Sequence, residues 1–327
     1  MRNQVLGAVL MLLAMSARAQ TTESTGYHGL MRVENEYKLN VPDTMADAVW
    51  QWMVVEFGPG GPALRSMDST FSSKIATDRM VDQYFDNDRW QLLHSGNGVR
   101  LRSRQVLSDS TDRKNGRKLM QVKINNVDSN QLNRGEYKFK VDTLLTDTAS
   151  TDPRERHPFL GLVAPLHRDS LLATLLRYGI AGDSLHATLL LDQLRRRIYL
   201  LRDTIPFATL SLDEVSAHFG DKSHYGHELE LELNEIRYTA ADSGAREAME
   251  LANGDIMERV LRRWPMLRQD QTPKYKKAWV AMGLDPAVQA PLPGPKSNWW
   301  LFGGGGFAVL IAALAARRRK RRPTGGS

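Results

Sequence analysis

The chain has 327 residues, no cysteine and a formal net charge of +7. Six basic residues form the run 317–322, and Arg2 and Arg18 lie near the start; setting those eight aside leaves 36 basic against 37 acidic residues. The basic balance therefore belongs to the ends and gives no support for nucleic-acid binding, and without disulfides the domain between them must be held by its core.

Residues 1–19 combine an early arginine, an apolar run over 5–15 and small residues at Ala17 and Ala19, the pattern of a cleavable signal peptide. Residues 20–30 are polar and expected to be disordered. Alternation over 31–41 predicts a strand, and 44–56, with Trp50, Met53 and Val54 on one side, predicts a helix. A Gly/Pro loop at 58–62 follows. Strands are predicted over 79–85 and 99–105 around a polar turn near 95–98, then a charged loop over 107–116, then strands over 118–124 and 135–141. The stretch 143–190, with its Leu-rich run at 171–176, reads as a mainly helical insert. Strand patterns return over 193–201, 207–215 and 228–236, and 243–264 has helical spacing through Met249, Ala252, Ile256 and Val260.

A Pro-rich linker over 286–298 leads to eighteen uncharged residues at 299–316, opened by Trp299 and Trp300 and followed by the basic run. This is the pattern of one transmembrane helix with a cytoplasmic tail at 317–327. The expected placement is a single-pass protein of the cell membrane, its domain outside the cytoplasm and lipid around its C-terminal helix. The same ending is similar to a bacterial sorting signal, which would be processed. The lack of cysteine and of any Asn-x-Ser/Thr site tilts the source toward bacteria. The domain between, 31–285, reads as α+β without βαβ order.

Several strands carry like charges at period two. Glu34, Glu36 and Lys38 alternate with Val33, Asn35, Tyr37 and Leu39; Arg100, Arg102 and Arg104 form a second row, Arg195 and Arg197 a third, and Glu228, Glu230 and Glu232 a fourth. Alternate residues share one face of a strand. A solvated outer face is the ordinary explanation for any one row, and for Arg104 it stands level with a site role. Rows of both signs are also what a barrel lined for a polyanion and a divalent metal would show. His224 and His227 lack further ligands and read as solvent-facing; Asp86 and Asp88 read as turn residues.

In order, the residues resemble the CYTH domains, or triphosphate tunnel metalloenzymes. The series is Glu34-Asn35-Glu36-Tyr37-Lys38, Tyr84-Phe85-Asp86, Arg100 with Arg102, Lys123, Arg134 with Glu136, Arg195 with Arg197, Asp213 in Leu-Asp-Glu, the terminal glutamates and Lys274-Tyr275. Asn125 stands where the family often has proline, the 143–190 connection is long, and three glutamates alternate where two are usual. The resemblance implies an antiparallel eight-stranded β-barrel, open as a tunnel and flanked by helices, which takes triphosphates with Mg²⁺ or Mn²⁺. It implies phosphate-binding roles for Arg100, Arg102, Arg134, Arg195, Arg197 and Lys274. Metal would fall to Glu34, Glu36, Glu136, Glu228, Glu230 and Glu232, and catalytic roles to Lys38, Lys123 and Asp213. The activity expected is hydrolysis of triphosphate, polyphosphate or an organic triphosphate. A non-catalytic anion-binding module and a membrane-tethered polyphosphate polymerase are the alternatives.

Overall fold

A computed structural model describes residues 30–284 apart from 68–69, 113, 126 and 143–158. The expected leader and the expected span at 299–316 lie outside the described residues. Among those described, no helix is long and apolar enough to cross a membrane.

Eight antiparallel strands close into a barrel: β1 (Arg32–Val41), β2 (Phe71–Asp86), β3 (Gly98–Val106), β4 (Lys118–Ile124), β5 (Asn133–Lys140), β6 (His186–Arg202), β7 (Ile205–Phe219) and β8 (Lys222–Leu233). Their order around the sheet is β5-β4-β3-β2-β6-β7-β8-β1, and β1 returns to β5. Closure depends on β1, which pairs with β5 through 32–35 and with β8 through 36–41. That stagger is the register shift a closed sheet requires. A two-residue strand, β9 (Arg268–Gln269), pairs with β1 at Leu39 and Asn40.

The alternation resolves in one sense. Apolar faces turn outward beneath helices, and charged faces turn into the barrel. Leu39 and Val41 of β1, with Leu210 and Leu212 of β7 and Leu229 and Leu231 of β8, join one core with helices α1 (Ala46–Phe57) and α6 (Ser243–Arg263). Short helices α2 (Pro62–Met67) and α3 (Gln91–Ser95) occupy the connections on either side of β2. α4 (Pro165–Arg177) helps cover β3–β5 through Leu171 and Leu175. α5 (Glu235–Ala240) is started by Asn234, whose side chain accepts from Arg237 N–H, and Asp242 caps α6 by accepting from Ala245 N–H. α7 (Lys274–Ala281) packs through Tyr275, Ala278 and Trp279 against Tyr84, Leu189 and Leu191.

Two boundaries depart from expectation. The insert ends before 190, because β6 already runs from His186 and holds Leu189 and Leu191 in the core. A run with few polar residues carries no clear period, so its strand start reads as helix. The last strand stops at Leu233, where Asn234 turns Glu235 into the first turn of α5 rather than the end of a strand.

Candidate active site

The barrel encloses a cavity of about 270 Å³. Thirteen of the fifteen residues expected at the site line it: Glu34, Glu36, Lys38, Arg100, Arg102, Lys123, Arg134, Glu136, Arg195, Arg197, Glu230, Glu232 and Lys274. Asp213 and Glu228 do not reach it. Asp213 is fully buried, with its oxygens taken by Arg195 and by Lys274 at 2.9 Å. Glu228 lies 2.8 Å from Lys274 and 2.5 Å from Lys277. The two expected site residues thus lie outside the cavity lining, each carboxylate in ion pairs.

One wall is cationic and pre-set. β2 supplies Asp82 opposite Arg102 in register, and this carboxylate takes Arg102 at 2.6 Å, Arg100 at 3.1 Å and Gln193 at 2.6 Å. Burial alone would raise the Asp82 carboxyl; the two guanidiniums outweigh it and hold the group well below the carboxylate range. Arg100 also bonds Gln121 at 2.9 Å, which fixes its plane. Next along the barrel, Asp78 holds Arg104 at 2.9 Å and Arg197 at 2.7 Å. Two buried aspartates thus aim four arginines, and each fork is pre-ordered before an anion arrives.

The other wall gathers carboxylates. Glu36 faces Glu232 across the β1–β8 pair, and Glu34 faces Arg134 across β1–β5. Carboxylate oxygens of Glu34, Glu136 and Glu235 lie within 4.8 Å of one another. Lys123 reaches Glu34 at 2.6 Å, Lys38 reaches Glu36 at 2.6 Å, and Lys138 bridges Glu136 at 2.5 Å and Glu235 at 2.6 Å. Arg134 stands 3.8 Å from Glu36 and donates to Gly96 C=O. The Glu232 side chain has no hydrogen bond or ion pair among the described residues, and burial together with Glu34 and Glu36 outweighs Lys123 and pushes its carboxyl up to about 8. Burial and then Glu136 raise Glu34 as well. Glu36 goes the other way: burial opposes its charge, but Lys38 and Lys123 bring it to about 2. Burial lowers the Lys38 amine, only partly offset by Glu36.

At the α7 end, Lys274 bonds Glu230, which Arg195 also holds at 2.6 Å. Tyr275 stacks on Tyr84 with ring centres 4.7 Å apart, and its hydroxyl donates to Asp86 at 3.2 Å. Asp86 also accepts the N–H groups of Asn87, Leu92 and Leu93, so it organises the turn into α3, as its sequence context suggests. His227 pairs with Asp43 at 2.9 Å on the outer surface, away from the cavity.

The sequence reading missed Asp78, Asp82, Gln121, Lys138, Tyr199 and Glu235. A usable signal existed for the aspartates: Asp78, Met80, Asp82 and Tyr84 share one parity of β2, so they face Arg100, Arg102 and Arg104 if β2 and β3 pair. Arg104, left open from sequence, belongs to the cavity wall.

No family model matches the chain, and no curated protein matches it. Among solved structures, the PH1819 protein of Pyrococcus horikoshii OT3 is 16% identical, covering 75% of this chain and 97% of its own, with a TM-score of 0.39. HpAC1 of Hippeastrum, a protein with a dominant triphosphatase activity, is 14% identical over 75% of this chain and 93% of its own, at 0.43. An RNA triphosphatase of S. pombe is 12% identical over 74% and 82%, at 0.27. Overlap at that level leaves the site to its own geometry. That geometry is a closed eight-stranded antiparallel barrel with ordered charges inside, the architecture that the resemblance in sequence implies.

Proposed function

We propose that the chain is a metal-dependent phosphohydrolase that cleaves a phosphoanhydride of inorganic triphosphate or polyphosphate, or of an organic triphosphate, inside the barrel. The observation that carries this reading is the division of one cavity into a wall of pre-aimed arginines and a wall of crowded carboxylates.

The carboxylate wall fits a divalent cation. Its donors are hard oxygens, and Glu232 is unpaired and crowded by Glu34 and Glu36, a repulsion that Mg²⁺ or Mn²⁺ would relieve. Glu34, Glu36 and Glu232 would hold the metal, with Glu136 beside Glu34. Glu230 is the weaker candidate, since Arg195 and Lys274 occupy it. A bound ion would supply charge neutralisation at phosphoryl oxygens and a site for an activated water.

The protein groups do the rest. Arg100 and Arg102, held by Asp82, grip phosphate oxygens in a fixed geometry, and Arg195 and Arg197 continue the cationic wall on β6, across β2. Lys123 and Lys38 stand where the two walls meet, each on a glutamate, and can follow charge that develops on the transferred phosphoryl group. Catalysis of this kind is positioning and electrostatic stabilisation.

The test is phosphate release from tripolyphosphate by the full 327-residue chain, with Mg²⁺, Mn²⁺ or chelator, beside Glu36→Gln. Metal-dependent release, reduced at least about a hundredfold in the variant, supports the reading. No release from folded protein with either metal rejects hydrolysis of this substrate; retained tripolyphosphate binding would then assign an anion-binding module.

The setting is proposed from sequence alone: a barrel outside the cytoplasm on a single-pass C-terminal anchor. Protease accessibility of the barrel in intact bacterial cells, and its loss from the membrane fraction on truncation at 298, would test that.

A further inference from the structure

Beyond the arginines held by Asp82, the cavity carries a second group of cations. Arg104, Arg197, Lys114 and Arg117 line it together with Tyr199. Lys114 and Arg117 come from the β3–β4 connection, so this group sits where the cavity meets that loop. Asp78 is the carboxylate bonded to Arg104 and Arg197, and Asp112 lies beside Lys114. Nε of Arg104 and Nε of Arg197 are buried without a hydrogen-bond partner. Burial, and then the neighbouring guanidiniums of Arg104 and Arg197, lower the Lys114 amine despite Tyr199 and Asp112. A fold gains nothing by collecting these charges. An extended anion lying along the cavity would use them.

The row also has the right direction. Arg100, Arg102 and Arg104 follow one face of β3 at two-residue steps, so they cover about 13 Å of wall. Arg195 and Arg197 run beside them on β6. We propose that the Arg104–Lys114–Arg117 end is a subsite for the continuing chain of a linear polyphosphate longer than tripolyphosphate, an assignment that rests on the phosphohydrolase reading above. A single-stranded RNA bearing a terminal triphosphate fits less well, because its bases need aromatic faces to stack on. Tyr199 is the aromatic residue at this end of the lining, and it is already engaged. Arg197 lies over its ring at 5.4 Å, and Arg104 and Arg197 both donate to its hydroxyl, at 3.2 and 3.0 Å.

The experiment compares tripolyphosphate with polyphosphate of tens of phosphates as substrates of the full chain, with Mg²⁺ or Mn²⁺. The variants are Lys114→Gln, Arg117→Gln and Lys114→Arg. Wild type is expected to show a lower KM for the long chain. Lys114→Gln and Arg117→Gln should each raise that KM by up to about fivefold and leave tripolyphosphate within about twofold, with Lys114→Arg restoring the wild-type value. Both residues lie in the β3–β4 connection, outside the barrel strands, so two independent positions keep the test open if one variant fails to fold. Equal KM for both lengths in wild type, or a parallel rise for both in the variants, would overturn the subsite while leaving tripolyphosphate hydrolysis intact. A 5′-triphosphate RNA that competes better than long polyphosphate would overturn it in favour of RNA. If wild type releases nothing from tripolyphosphate, the phosphohydrolase reading fails and the subsite falls with it.

Discussion

Two clusters of buried charge share this barrel and are built on opposite terms. Around α7, Arg195 and Lys274 interlock with Asp213 and Glu230, and every carboxylate there has a cation in contact. Around the junction of β1 and β8, Glu232 stands unpaired between Glu34 and Glu36. The first arrangement is complete in itself and holds the barrel's end to its C-terminal helix. The second leaves Glu232 crowded by Glu34 and Glu36, with Lys123 offsetting them only in part, and under the reading proposed above a divalent cation would relieve it. A buried ion network that is satisfied reads as architecture; one that is crowded by like charge reads as a site.

That contrast breaks first at its balanced half. Asp213→Ala leaves Arg195 and Lys274 short of a partner at a fully buried position, and should cost about 3–5 kcal/mol in denaturant unfolding. A loss below about 1 kcal/mol would mean that the α7 network is slack.

The crowded half should respond with the opposite sign. Glu232 has its carboxyl raised from 4.5 to about 8. Between those values the folded metal-free protein retains a proton that the unfolded chain sheds, so folding loses stability as pH rises through that window. Glu232→Gln removes the penalty. At pH 7 without metal it should gain about 1 kcal/mol or more, a rise of about 2–4 °C in melting temperature, while metal-dependent activity falls. A variant that is both less stable and inactive would reassign Glu232 to the fold.

Acid probes the arginine wall. Asp82 is depressed despite burial because Arg100 and Arg102 pair with it, so its contribution is present above the unfolded carboxylate value of about 4 and is lost as pH falls below it. Melting temperature should drop between about pH 5 and pH 2, with a shallower slope in Asp82→Asn. The smallest effect belongs outside: Arg79, paired at the surface with Asp192, should cost under about 1 kcal/mol on change to Ala.

Legibility in the sequence followed period. Strands β1 and β4 announce themselves by alternation, and helix α6 by Ile256, Met257 and Val260, which fall at helical spacing and are buried. The first half of β2, Phe71 to Thr77, is largely exposed and polar, so nothing there distinguishes strand from loop. The start of β6 is apolar on consecutive positions and mimics a helix. Most site residues were legible because rows of like charge on a strand are costly without a purpose. What stayed hidden was the counter-charge. Asp78 and Asp82 mean little until β2 is placed beside β3, and Glu235 joins Glu34 and Glu136 only because Asn234 ends β8. The same gap hid the ion pairs of Asp213 and Glu228, whose partners come from β6 and α7.

Under the proposed function the crowded carboxylates are a metal site. Calorimetric titration of Mn²⁺ into the full chain, beside Glu232→Gln and Asp213→Asn, addresses it without a substrate. A metal site there gives saturable binding, weakened at least about tenfold by Glu232→Gln and changed little by Asp213→Asn. Equal affinity in wild type and Glu232→Gln, or no binding to folded wild type, would contradict it.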